Sequence, residues 1–177
     1  MANRSYLYSA DSIPDETQIP KHIRCISEHN WDIPLAHKLM VGHGTTIVPS
    51  MIWNPPIGIA AEYAAGAALL LNLLHAVGKD LEGDPEFAEC VARTTAHLEK
   101  QQAEYFILET GEIVSMTDAD PAASVQRLAS RDIPDAVANA EAAIAGQNDT
   151  WLAALRTDWQ THFASFYSEA LYFSFPN

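Results

Sequence analysis

The sequence predicts an α+β fold, a helix-dominated single domain with a small antiparallel sheet. Three observations lead there. Apolar residues recur at steps of three and four through much of the C-terminal half, the period of a half-buried helix. Short runs rich in aromatic and branched apolar residues stand at 4–9, 22–27 and 106–116, as strands require. Asp84-Pro85, Asp120-Pro121 and Asp132-Ile133-Pro134 read as helix openings: a capping carboxylate, then a proline that needs no N–H in the first turn.

A chain of 177 residues, 48% hydrophobic, suits one domain with a sizeable core. Its N-terminal part, 1–56, contains strands. Residues 4–9 form the first, with Tyr6 and Tyr8 on one face. Residues 10–20 are a loop with Pro14 and Pro20. Residues 22–27 form the second strand, with Ile23, Cys25 and Ser27 sharing a face. Asp32-Ile33-Pro34 opens a helix that ends near Gly42. Residues 45–53 are extended, and Asn54-Pro55-Pro56 stops them.

A helical core follows over 57–105. The nearly all-apolar run 57–77 reads as one buried helix. Its small residues Ala60, Ala64 and Ala68, with Gly58 and Gly66, let another backbone approach, and Gly78 ends it. The next helix starts at Asp84-Pro85 and buries Phe87, Val91, Leu98 and Tyr105. Residues 106–116 read as a β-hairpin turning at Thr110-Gly111. C-terminal helices fill 120–172: one from Asp120 to about Ser130, one from Asp132 to Gly146, and one capped by Asn148 or Asp149. The last carries the stripe Leu152, Leu155, Trp159, Phe163, Phe166 and Ala170.

Ten Lys and Arg against 23 Asp and Glu give a net charge of −13. Residues 79–177 hold six basic residues against seventeen acids, −11. Such a chain cannot neutralise phosphates, so no nucleic-acid partner is expected, and docking on anionic membranes is disfavoured. Glu62, Asn72 and His75 interrupt the run 57–77, which favours a buried helix over a membrane span. No apolar segment follows the N-terminus, so no signal peptide is expected. Cys25 and Cys90 read as reduced, buried thiols of a cytoplasmic protein.

Motifs for chemistry are sparse. The seven histidines lack metal-ligand spacing. Asp80, Glu82, Asp84, Glu86 and Glu89 fail as a calcium loop, because Pro85 stands where glycine is needed and Val91 where a carboxylate is needed. They read as acids complementing a helix N-terminus, and Asp118 and Asp120 play that part at the next helix. No metal and no cofactor is expected. There is no nucleophile elbow, phosphate loop or dinucleotide fingerprint. Gly42-His43-Gly44-Thr45-Thr46 reads as a structural turn, and Glu62 as an exposed first-turn acid.

Two groups of residues remain as candidates. Glu28, His29, Trp31, Asp32 and His37 put acid, imidazole and aromatic surface close together in the chain. They form the candidate pocket of an enzyme or small-ligand-binding protein. The second group is Trp151, Trp159, Tyr167, Tyr172, Phe173 and Phe175. Eight of the sixteen aromatic residues lie in 151–175, more than one helix face buries, so this group is a candidate interaction surface.

The opening Met-Ala-Asn-Arg-Ser-Tyr-Leu-Tyr-Ser and the segment Ile26-Ser27-Glu28-His29-Asn30-Trp31-Asp32-Ile33-Pro34-Leu35 resemble a group of uncharacterised bacterial proteins. The resemblance covers the N-terminal third. It implies no established activity and carries over no catalytic residue. By analogy, small acidic α+β bacterial proteins of this kind serve as immunity or accessory partners.

Charge, aromatic C-terminus and missing catalytic motifs together predict a cytoplasmic, acidic protein-binding protein rather than an enzyme. Its expected partner is a basic protein, which it would meet as an inhibitor or immunity-like partner. Self-association into a homo-oligomer through the aromatic tail is a third reading.

Overall fold

A computed structural model describes residues 3–53, 57–117, 119–164 and 167–175. The expected stop at Asn54-Pro55-Pro56, the acid Asp118 and the stripe residue Phe166 lie outside the described residues. Five antiparallel strands make one sheet: β1 (Arg4–Ala10), β2 (Ile23–Asn30), β3 (Thr46–Val48), β4 (Gly58–Glu62) and β5 (Tyr105–Glu109). Their spatial order is β2-β1-β5-β4-β3. Helices α1 (Leu35–Met40), α2 (Tyr63–Gly78), α3 (Pro85–Lys100), α4 (Gly111–Thr117), α5 (Pro121–Arg127), α6 (Ile133–Ile144), α7 (Asp149–Thr157) and α8 (Trp159–Phe163) complete the described secondary structure. The result is the expected helix-dominated α+β single domain.

Both faces of the sheet are covered. On the inner face Leu7, Ile59, Ala61, Phe106 and Leu108 pack with the helices. On the outer face Tyr6, Tyr8, Ala60 and Ile107 pack under Met51, Ile52, Leu171, Phe173 and Phe175. Phe173 meets Tyr6 edge-on at 5.4 Å, and Phe175 meets Tyr8 edge-on at 5.2 Å. Glu109 is wholly buried on this face. It accepts hydrogen bonds from the Ser50 hydroxyl and from Met51 N–H at 2.7 Å. Burial pushes its carboxyl above the usual range against the pull of those two donors.

The sequence reading is corrected in four places. First, pairing of β1 with β2 jumps from Leu7–Ser27 to Tyr8–Cys25, a β-bulge at Ile26. It puts Cys25 on the outer face and Ser27 on the inner, so Ile23, Cys25 and Ser27 do not share one. Second, the apolar run is not one helix: β4 takes 58–62, and α2 begins at Tyr63. A short buried strand carries no period that separates it from buried helix. Ala64 and Ala68 face solvent, whereas Gly66 packs against the Met40 backbone of α1. The helical core over 57–105 is therefore interrupted by β4 and closed by β5.

Third, residues 106–116 are not a hairpin. β5 pairs with β1 and β4, and α4 starts two residues after it. Ile113 and Val114 N–H both donate to the Thr110 carbonyl, while the Thr110 hydroxyl donates to the Ile57 carbonyl. Adjacent Ile113 and Val114 are both buried, which a helix allows and an alternating strand does not. Fourth, C-terminal helices do not extend to 172. α7 and α8 break at Asp158, and Ala164 is extended. The expected break before Pro134 is absent too: a π-helical turn, Leu128–Asp132, joins α5 to α6, accommodating a residue with no N–H.

Capping follows expectation at Asp84, Asp120 and Gly146, whereas Gly78 is the last residue of α2 itself and Asn148 makes no side-chain cap. Asp84 accepts from Glu86 and Phe87 N–H, and Asp120 from Ala123 N–H. Gly146 stands at φ 72°. Gln147 N–H reaches Ala142 O and Gly146 N–H reaches Ala143 O, a Schellman end to α6.

Gly66→Ala tests the α1–α2 crossing. Helix propensity alone favours alanine by roughly 1 kcal/mol. The added Cβ, however, meets the Met40 carbonyl, which is backbone and cannot yield. We expect net destabilisation of about 1–3 kcal/mol by urea unfolding, against little change for Gly83→Ala, where space is open. Ser50→Ala tests the buried carboxylate. It is expected to cost about 1–3 kcal/mol at pH 7 and less below the raised pKa, where Glu109 is protonated.

Candidate functional site

The five residues expected to line a pocket do not all meet: His29, the Asp32 carbonyl and His37 gather about Ser5, while Glu28 lies on the other face of the sheet. Glu28 lies opposite Tyr6 on the outer face, where it accepts from Tyr172 N–H at 3.0 Å and sits 3.7 Å from Arg4. His29 lies opposite Ser5 on the inner face. Trp31 adopts φ 70° and is 61% exposed. Asp32 bonds Ile33 N–H through its side chain. His37 is wholly buried.

His37 is locked in place by hydroxyls. Its Nε2 is 2.8 Å from Ser27 Oγ and its Nδ1 3.2 Å from Ser5 Oγ. Ser5 spends its own hydrogen on the Asp32 carbonyl at 2.8 Å. Ser5 Oγ therefore accepts from Nδ1–H, and Ser27 donates to Nε2. Burial holds the imidazole neutral, with a pKa lowered to about 3, and nearby His29 adds to the shift. A serine facing an imidazole acceptor is the geometry of an activated nucleophile. Here Ser5, Ser27 and His37 are all sealed from solvent, so the trio joins β1, β2 and α1 and meets no substrate.

The aromatic C-terminus is mostly packed inward. Trp151 lies against the main core. Trp159 is 5% exposed and meets Phe87 edge-on at 5.2 Å. Phe173 and Phe175 cover the sheet, so the tail expected to mediate self-association lies on its own domain. Tyr172 is 63% exposed, over Arg4, and Trp53 is exposed beside Phe173.

A groove of about 840 Å³ opens between α3 and the segment from Trp159 to Glu169. Two of the expected aromatics, Trp159 and Tyr167, line it with Phe163. α3 supplies the other wall. Phe87, Thr94 and Leu98 are its buried side, so helical spacing turns Glu86, Glu89, Cys90, Arg93, His97 and Lys100 towards the groove. This second stripe was readable in the sequence, but its acids had a sufficient explanation as helix N-terminal charges.

Both walls hang from one point. Ile26 O accepts from His97 Nε2 at 2.9 Å and from Ser168 N–H at 3.1 Å. A carbonyl only accepts, so Nε2 carries the proton, and burial lowers the imidazole pKa. Cys90 donates to Phe163 O at 3.3 Å. Burial raises the Cys90 thiol and the Tyr167 hydroxyl pKa. A thiol held protonated is a poor nucleophile. Among the described residues no group of three or more His, Cys, Asp or Glu is placed to hold a metal ion, and no helix is long and apolar enough to cross a membrane.

The buried imidazole gives a pH signature. Unfolded, His37 gains a proton near its ordinary 6.5; folded, only near 3. In that window the unfolded state binds more protons, so stability falls as pH falls, by up to about 1.4 kcal/mol per pH unit from this group. We expect His37→Gln to flatten the slope of unfolding free energy between pH 6 and pH 4; an unchanged slope would show that His37 titrates normally.

The family described as a domain of unknown function (DUF7822) matches residues 11–157. No curated protein and no solved structure matches the chain. The matched span holds β2 through α7, and with them the α3 wall of the groove, while the wall from Trp159 to Glu169 lies beyond it. Since the match covers most of its length, the chain belongs to the DUF7822 family.

Proposed function

We propose that this is an acidic protein-binding protein, an inhibitor or immunity-type partner of a basic protein, and that it works in the cytoplasm. One observation carries the reading. The groove sets half-buried Tyr167, with Trp159 and Phe163 almost wholly buried behind it, beside exposed acids, Glu86 and Glu89, in the half of the chain that holds −11. An apolar side chain of the partner fits against Tyr167, and a Lys or Arg beside it faces the two carboxylates. The wider negative field steers such a partner and makes association salt-sensitive. Two free cysteines with raised pKa values suit a reducing compartment.

The test starts from peptides selected on the folded protein from a random displayed library. Binders are expected to combine an apolar or aromatic residue with Lys or Arg. The double variant Glu86→Lys/Glu89→Lys is expected to weaken them at least tenfold without changing the circular dichroism, and association rates are expected to fall as salt rises. Binders without basic residues, or equal binding to the variant, would sink the reading.

A further inference from the structure

We infer that the groove reads a free carboxyl terminus, with a basic residue two or three positions before an apolar last residue. This rests on the protein-binding reading above and names the part of the partner that enters. Three features point to it.

The first is Arg93. It is exposed and lines the groove midway along α3, and among the described residues it has no ion pair. The other ammonium or guanidinium lining the groove, Lys100, is already engaged by Glu169 at 2.5 Å. His97 is occupied by Ile26 O and is biased to its neutral form. In a chain of net charge −13, a guanidinium left facing an aromatic-walled groove is a carboxylate anchor, and its planar fork matches both oxygens of a carboxylate.

The second is the Lys100–Glu169 pair itself. Lys100 stands on α3 and Glu169 on the opposite wall, so this exposed pair links the two walls at that end. The other end, past Glu89 and Glu86, bears no such bridge among the described residues. A chain entering at the acidic end meets Arg93 and then this link between the walls, which suits a chain terminus better than a segment passing through.

The third is spacing. Glu89 is one helical turn from Arg93 and Glu86 is two, or about 6 and 10 Å along the axis. An extended peptide advances about 3.3 Å per residue. With its terminal carboxylate on Arg93, side chains two and three residues earlier come level with Glu89 and Glu86. The last side chain lies against Tyr167, which is half-buried over the core residues Trp159 and Phe163.

The experiment uses hexapeptides ending in Phe, with one Lys moved through the four preceding positions and Ser or Ala elsewhere. Each is made as the free acid and as the C-terminal amide, and binding to the full chain is measured by fluorescence anisotropy. The expected result is tightest binding with Lys two or three positions before Phe, and at least tenfold tighter binding of the acid than of the amide. Arg93→Gln, an exposed position, is expected to bring the acid down to the amide's affinity and leave the amide unchanged. If acid and amide bind alike, and both lose affinity in Glu86→Lys/Glu89→Lys, the carboxylate inference falls while the protein-binding reading stands. If Arg93→Gln weakens acid and amide equally, it also falls. If no peptide of the set binds, the inference is overturned, and the library selection above then decides the broader reading on its own.

Discussion

One carbonyl organises the two walls of the groove. At the β-bulge, pairing passes over Ile26, and its buried C=O needs partners from outside the β1 ladder. It takes two, His97 from α3 and Ser168 from the C-terminal segment. The bridge from Ser27 to Tyr167 fixes the neighbouring residue. Because β2 is an edge strand, that carbonyl faces away from β1 and is free to anchor both walls of the groove. The same bulge turns Ser27 inward, where it completes the hydroxyl clamp on His37. The edge position of β2 therefore anchors the groove, and the bulge in it joins α1 to the sheet.

A second constraint acts through coverage. β1 and β5 are buried on both faces, so the outer face must be roofed although most helices pack on the inner one. The tail does this with Leu171, Phe173 and Phe175, and the loop after β3 does it with Met51 and Ile52. Roofing an antiparallel face also buries the polar groups on it. Each described one is answered: Tyr8 donates to Phe173 O, Tyr6 to Glu112, and Glu109 takes Ser50 and Met51. The path of the tail from α8, past the edge of β2, to the outer face is what places Tyr167 and Ser168 on the groove. Aromatic residues that looked like surplus for an interface are largely consumed by this roof and by the groove wall.

That history explains what could be read from the sequence. Capping is local chemistry, so Asp84, Asp120 and Gly146 announced their elements directly. β1 was legible from its alternating tyrosines. The boundary at Glu62 was not, because Gly58-Ile59-Ala60-Ala61 is apolar on both faces and has no period to reveal. The hairpin at 106–116 was misread because Thr110-Gly111 satisfies a turn rule. The partners of β5 lie far upstream, about a hundred residues away in β1 and about fifty in β4, and such long-range pairing leaves no local mark. Neighbours in the chain part company for a related reason: residues 28–37 are close in sequence, but strand alternation sends Glu28 and His29 to opposite faces. The groove needed α3 and the tail together, and only the α3 half had a pattern to find.

Two electrostatic effects oppose each other in the groove, and range separates them. The charge of −13 attracts a basic body and repels a carboxylate. At physiological salt that field decays over about 8 Å, so it governs approach, where the partner's many cations dominate. At contact, only near neighbours count. There a carboxylate beside Arg93 gains charge-assisted hydrogen bonds, while Glu89, one turn away, repels it through partly screened solvent. A bidentate pair at bonding distance outweighs a single repulsion at about 6 Å. The same geometry then makes Glu89 useful, since a cation placed two residues back from the terminus converts the repulsion into a second attraction. A neutral tail gains neither effect, and a purely basic one meets Arg93 as a like charge. On the proposed reading, the groove's order of charges, acid then base then an ion pair, would discriminate by sequence of charge and not by net charge alone.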